Sequence, residues 1–270
     1  MVSYWIDFAF YWIDFKGLPH ADASWRVPIA LQIILCIPTA LLTMRLPESP
    51  RWLMLKGREE EAREIMACLD ERSLDDPEID VKVREIRDSL AQVQSTGLKD
   101  MFTNGPSRNF HRMALGFISQ MFQQISGINL ITYYAGTIFQ TNIGFSPTVS
   151  RVVAACNGTE YFAASWIAVF LVEKVGRRPL MLFGAAGQSI SMAILAITNS
   201  DVVQKPIRQP NGQPKGTNQG ASIVAAVMLF VFNTFFAIGW LGMTWLTPAE
   251  MTPLRIRAAS NGISTASNWM

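Results

Sequence analysis

Charge is what this sequence has least of. Only 16% of its 270 residues are Asp, Glu, Lys or Arg, where soluble domains carry about a quarter. Histidine is nearly absent, with His20 and His111 alone, and the three cysteines, Cys36, Cys68 and Cys156, are far apart and odd in number. No disulfide framework or metal-ligand spacing follows, so neither a metal nor a cofactor is expected. A net charge of +2, with Lys and Arg scattered between apolar stretches, gives no basic stripe and excludes a nucleic-acid partner. Catalytic machinery is missing as well. Neither histidine falls in an apolar run, no nucleophile has a neighbouring base, and Glu160 is the only acid well inside a span, so the chain does not read as an enzyme.

What is present is apolar and comes in long pieces. Half of the residues are hydrophobic, clustered in runs of roughly twenty, the length that crosses a hydrocarbon core at 1.5 Å per residue. The expected spans are Val27 to Leu46, Met113 to Phe139, Val149 to Val172, Leu180 to Thr198 and Ala221 to Leu246, with a further one from Ala258. Pro28 and Pro38 are tolerable inside the first as kinks. The N-terminus is aromatic and acidic, without the basic region of a signal peptide, and is expected to begin within a membrane segment. There Tyr4-Trp5-Ile6-Asp7-Phe8 recurs as Tyr11-Trp12-Ile13-Asp14-Phe15, a repeat too short for a structural unit. It reads as a duplication or an error in the gene model, with an aromatic interface segment as the alternative.

Pro47 to His111 departs from the membrane pattern and reads as short amphipathic helices in water or on the membrane surface. Ser49-Pro50 and Asp76-Pro77 are start signals, and Gly57 and Gly97 are stops. Ala62, Ile65, Met66 and Leu69 fall at helical spacing, as do Ile79, Val83, Ile86, Leu90 and Val93. Each stripe must rest on something, and the ends of the spans are the expected support. Lys174, Arg177 and Arg178, with Arg255 and Arg257 two crossings later, lie on the same side as this region, which the positive-inside rule makes cytoplasmic. Lys205, Arg208 and Lys215 in the opposite loop, Ser200 to Gly220, weaken that assignment without reversing it.

Polar side chains inside a span cost free energy and mark pathways by default. The second span holds Gln120, Gln123, Gln124 and Gly127 near one face, then Asn129, Tyr133 and Tyr134, and Ser126-Gly127 is a place where the helix can loosen. Amides and phenols donate and accept without formal charge, which suits a neutral polyhydroxyl ligand; the alternative is polar glue between helices. The fifth span adds Gly239-Trp240-Leu241-Gly242 and Trp245 in a run of phenylalanines. Its aromatic faces suit the C–H side of a sugar ring, and its glycines permit bending or close approach.

These residues resemble the sugar porters of the major facilitator superfamily, above all fungal hexose and disaccharide transporters. The resemblance lies in Pro47-Glu48-Ser49-Pro50-Arg51, Gln123-Gln124-Ile125-Ser126-Gly127-Ile128-Asn129, Glu173-Lys174-Val175-Gly176-Arg177-Arg178-Pro179-Leu180, Pro248-Ala249-Glu250, Arg255-Ile256-Arg257-Ala258 and Asn268-Trp269. It implies an all-α, polytopic membrane protein with a partial major facilitator fold, from the end of span five to the start of span eleven. Residues 1–46 then close the N-terminal half, 47–111 form a cytoplasmic helical linker and 112–270 belong to the C-terminal half.

The same resemblance implies a carbohydrate carrier working by alternating access, with or without a coupled proton, in the plasma membrane. Its partners are a hexose or disaccharide and the lipid bilayer. Gln123, Gln124, Asn129, Trp245, Asn268 and Trp269 are the implied substrate contacts, and Tyr133 and Tyr134 the outer gate. The family's eighth-span asparagine is Tyr161 here, with Asn157 one turn earlier. Glu48, Arg51, Glu173, Arg177, Arg178, Glu250 and Arg255 sit where opposite charges can pair and part as a cytoplasmic latch. The chain is expected to be a fragment, lacking four early spans. A sugar-sensing receptor of the same fold and a non-functional truncated product are the alternatives.

Overall fold

The computed structural model describes residues 2–15, 23–94, 98–200, 207–208, 214–215 and 219–270. His20, Gly97 and Lys205 lie outside the described residues, as does the side chain of Val93. Apart from one two-residue antiparallel ribbon, Ile207–Arg208 with Pro214–Lys215, the architecture is helical.

Helices α1 (Val2–Phe15) and α2 (Ala23–Arg45) form the first layer. The apolar stretch Arg26–Arg45 buries none of its side chains against the rest of the protein, so a nonpolar surrounding must cover it. Two further continuous stretches, Arg177–Thr198 and Gly220–Met251, are also long and apolar enough to cross a membrane.

Next comes a small polar bundle: α3 (Pro50–Leu55), α4 (Glu59–Leu69) and α5 (Pro77–Gln94). The start signals work as their chemistry requires. Ser49 accepts from the Trp52 amide at 3.2 Å with Pro50 at the first position, and the Asp76 carboxylate accepts from the Glu78 amide at 2.9 Å. Gly57 ends α3 at φ +77°. The apolar stripes do not rest chiefly on span ends. Leu53, Ala62, Met66, Ala67, Ile79 and Val83 close on one another into their own core, while Leu69 points to solvent. The reason is energetic: three short helices can bury these side chains mutually, at about 1.5–3 kcal/mol for each large one. Ion pairs Arg63–Asp80, Lys82–Asp70 and Arg87–Glu59 rim this core at 2.5–2.6 Å, and exposed pairs of that kind add little.

Seven helices follow: α6 (Asn109–Ile125), α7 (Ile128–Thr137), α8 (Pro147–Val175), α9 (Arg177–Thr198), α10 (Gln219–Phe236), α11 (Met243–Met251) and α12 (Leu254–Asn268). The second expected span is therefore two helices and not one. Gly127 takes φ +85° between α6 and α7, a conformation that costs other residues a Cβ clash. The fifth expected span is also divided, by a π-helical turn at Ala237–Leu241. A second π turn, Ile138–Asn142, closes α7.

The main core lies between α7, α8 and α10, where Phe139, Phe232 and Phe236 are almost fully enclosed. α9 reaches the π turn after α10 through bare backbone. A Cβ on Gly239 would stand 2.6 Å from the Gly184 Cα and 2.6 Å from the Leu180 carbonyl oxygen. α6 meets α12 at Gly116, where a Cβ would fall 2.7 Å from the Ser264 hydroxyl oxygen. α1 leans on α8. Tyr4 lies over Gly158 and donates to the Thr132 carbonyl, Trp5 donates to Thr159 at 2.9 Å, and Asp7 pairs with Arg151 at 3.1 Å.

Candidate functional site

The break at Gly127 gathers the amides. Asn129, at the start of α7, donates to the Gln124 carbonyl oxygen at 2.5 Å, and Gln124 donates to the Asn268 carbonyl oxygen of α12 at 2.6 Å. Asn268 then spends both protons of its own nitrogen, one on Gln120 at 2.5 Å and one on Gln123 at 2.8 Å. The chain ends on backbone: Gln120 donates to the Thr244 carbonyl at 2.9 Å and Gln123 reaches the Trp240 carbonyl at 3.4 Å. Five neutral amides from α6, α7 and α12 thus satisfy one another and tie those helices to the π turn at Ala237–Leu241 and the start of α11.

Burial makes this network consequential. Gln120 is 1% exposed, Gln123 4% and Asn268 5%. A buried amide without partners costs about 1–3 kcal/mol, so these groups persist there because every one is bonded. Hydroxyls of a bound molecule can take over such bonds one for one, since an amide both donates and accepts. The outer part of the chain is open: Gln124 is half-buried and Asn129 exposed.

The remaining candidates sit differently. Trp245 and Trp269 are 45% and 74% exposed and neither indole enters the amide chain. Trp240, absent from the expected contacts, is the indole fixed beside it. Its Nε1 donates to the Met181 carbonyl of α9 at 3.0 Å, and the ring lines a cleft of about 390 Å³ with Phe122, Ser126, Gln188 and Met192. Tyr133 and Tyr134 are exposed on α7, Tyr134 at a helix irregularity (φ −106°, ψ 15°). Tyr133 borders a smaller, polar pocket of about 230 Å³ with Tyr4, Asp7, Gln140 and Arg151. Tyr161 packs against Phe236, ring centroids 6.3 Å apart, and Asn157 is buried within α8.

Of the charged candidates, Arg177 and Glu250 come together. The guanidinium straddles the carboxylate, Nε to Oε2 at 3.0 Å and Nη2 to Oε1 at 2.7 Å, joining the start of α9 to the end of α11. Arg178 lines the adjoining cleft with Glu250 and Met251. The others do not pair with one another among the described residues. Arg51 donates to Ser89 within the polar bundle and Arg255 to Ser107, while Glu48 and Glu173 stay exposed.

The family profile described as "Sugar (and other) transporter" matches residues 1–270. The sugar transporter STL1 of Saccharomyces cerevisiae is 33% identical over 274 residues, covering 100% of this chain and 44% of that protein. The MFS-type transporter oryC of Aspergillus oryzae is 35% identical over 265 residues, 96% of this chain and 47% of its own length. Among solved structures, the MFS proton:xylose symporter XylE bound to 6-bromo-6-deoxy-D-glucose superposes with a TM-score of 0.72 at 28% identity, covering 97% of this chain and 50% of that one. The chain spans about half the length of the relatives it matches.

Proposed function

From the premise that the chain belongs to the sugar transporter family of multi-pass membrane proteins and has a partial major facilitator fold, we propose that it forms the sugar-holding part of a carbohydrate carrier. The observation that supports this best is the amide chain Asn129, Gln124, Asn268, Gln123 and Gln120. A saccharide hydroxyl inserted at Gln124 or Asn129 replaces an amide–amide bond with two amide–hydroxyl bonds, so the site is satisfied both empty and filled. Absence of charge favours a neutral hexose or disaccharide over an acid or a phosphate ester. Trp245 and Trp269 are the apolar walls of the pocket in this reading, and Tyr133 and Tyr134 its outer gate.

Alternating access in such folds comes from rocking of one half against the other around a fixed site. Residues 1–46 then belong to the first half, 47–111 are the cytoplasmic linker and 112–270 belong to the second. Glu48, Arg51, Glu173, Arg177, Arg178, Glu250 and Arg255 form the cytoplasmic charge latch, of which Arg177 with Glu250 is the pair made within the second half. The plasma membrane is the proposed location, with a proton as the co-transported ion.

The test is saccharide binding by the chain reconstituted in lipid vesicles, followed through tryptophan fluorescence with D-glucose, D-xylose and maltose. Saturable quenching by one of them, weakened at least tenfold by Gln124→Ala, is the expected result. No response to any saccharide, or identical responses in the variant, contradicts the reading.

A further inference from the structure

Glu160 is an acid inside a membrane-type helix, and the amide chain makes no use of it. Its Oε1 lies 2.5 Å from the Thr234 hydroxyl oxygen on α10. That hydroxyl is also 3.0 Å from the Phe230 carbonyl oxygen one turn back. Threonine has a single hydroxyl proton. If it serves the Phe230 carbonyl, which can only accept, the short contact to Glu160 lacks a proton unless the carboxyl supplies one.

The second carboxyl oxygen points to the same state. Oε2 is buried and without a hydrogen-bond partner, and among the described residues no ion pair includes Glu160. An ionised carboxylate with one bare oxygen in a lipid-embedded helix is a costly species. The neutral acid needs one acceptor, and Thr234 Oγ1 is in place for it.

Among the described residues no hydrogen bond or ion pair joins Glu160 to another titratable side chain. α10 and both π turns carry none. α7 contributes Tyr133 and Tyr134, α1 contributes Tyr4, Asp7, Tyr11 and Asp14, the last with its side chain outside the described residues, and α9 has only Arg177 and Arg178 at its start. On α8 itself the free thiol of Cys156 stands one turn before Glu160 and is exposed, and Arg151 is held by Asp7 and lies over the Tyr11 ring at 4.2 Å. Tyr161 adjoins Glu160 and packs on Phe236, while Glu173 and Lys174 stand at the far end of the helix.

We propose that Glu160 with Thr234 is a proton-binding site, in which the carboxylic acid donates to Thr234 Oγ1 while the threonine proton goes to Phe230. On release the proton passes to water, and the Thr234 hydroxyl turns to donate to the carboxylate. The site is a hydrogen-bond switch with two settings. Its use in driving sugar movement rests on the carrier reading, whereas proton binding itself does not.

Infrared difference spectroscopy on the chain in lipid vesicles, between acid and alkaline pH, reads this directly. A carboxylic acid carbonyl band that disappears with alkali, is lost in Glu160→Gln and shifts in Glu160→Asp and in Thr234→Val is expected. Absence of any acid band that responds to these three substitutions overturns the proposal, and any one folded variant suffices to judge it. Addition of D-glucose separates the two readings. Saccharide binding with no acid band at Glu160 keeps the carrier and removes the proton site. An acid band in a chain that binds no saccharide keeps the proton site and removes the carrier.

Discussion

Asn268 donates its side-chain amide to the Gln123 carbonyl oxygen at 2.8 Å, across 145 positions of sequence. With its bonds to Gln120 and Gln124, this one residue closes the network between α6 and α12. Asn268→Leu removes the donor and leaves two buried glutamine oxygens bare, at about 1–3 kcal/mol for each unsatisfied group. The variant is expected to unfold at lower temperature in detergent and to bind saccharide at least tenfold more weakly. Asn268→Gln, which keeps both functions of the amide on a longer arm, is expected to recover part of each, measured by thermal melting and fluorescence titration.

The close approach at Gly184 and Gly239 gives a packing prediction. Gly239→Val must push the π turn away from α9, because its Cβ alone would stand 2.6 Å from backbone atoms. Overpacking of that kind costs about 1–3 kcal/mol or more. Gly242→Ala is the control, since a Cβ there meets nothing within 4 Å. Loss of monodisperse folded protein for the first and wild-type behaviour for the second are expected in size-exclusion chromatography.

Gly127 isolates a conformational term. A Cβ at this position meets nothing within 4 Å, but φ is +85°, so Gly127→Ala carries backbone strain without a clash, about 1 kcal/mol. A shift of a few degrees in melting temperature is expected. A larger share of the effect should appear in saccharide affinity, because Gln124 and Asn129 flank the break.

A charge swap tests the ion pair between α9 and α11. Arg177→Glu and Glu250→Arg each place like charges together and are expected to lower thermal stability and any transport rate. Combining them restores attraction and is expected to recover most of the loss. Equal damage in the double variant shows that the two residues act separately.

Acid weakens the start of α5. The Glu78 amide hydrogen bond, and then the Arg72 guanidinium, hold the Asp76 carboxyl below its ordinary value. A carboxyl lowered in the folded state contributes stability that is present above its unfolded value and lost as pH falls through the folded one. Hydrogen exchange at the Glu78 amide is therefore expected to accelerate only below the usual aspartate range. In Asp76→Ala it should be fast at every pH.

Much of this organisation was readable from residue order. Ser49-Pro50, Gly57 and Asp76-Pro77 set helix limits through local chemistry, and the structure places the limits there. Ser126-Gly127 marked a loosened helix, which becomes a full break. Partners were not readable. The stripes of α4 and α5 announced buried faces without saying that they would bury each other. Helical spacing put Gln120 and Gln123 on one face, but nothing local said that Asn268 would meet both. Trp240 was readable as one of the fifth span's aromatic residues, but not as the indole held by the Met181 carbonyl, which belongs to another helix. The π turns at Ile138–Asn142 and Ala237–Leu241 carry no proline to announce them.

The side-chain amides themselves report on the central claim. In magic-angle-spinning NMR of the reconstituted chain, titration with the saccharide that binds should move the ¹⁵N resonances of Gln124, Asn129 and Asn268 together, saturating at one common concentration. Resonances that stay fixed while saccharide binds, or that show no saturable response to any saccharide, contradict an amide site for sugar.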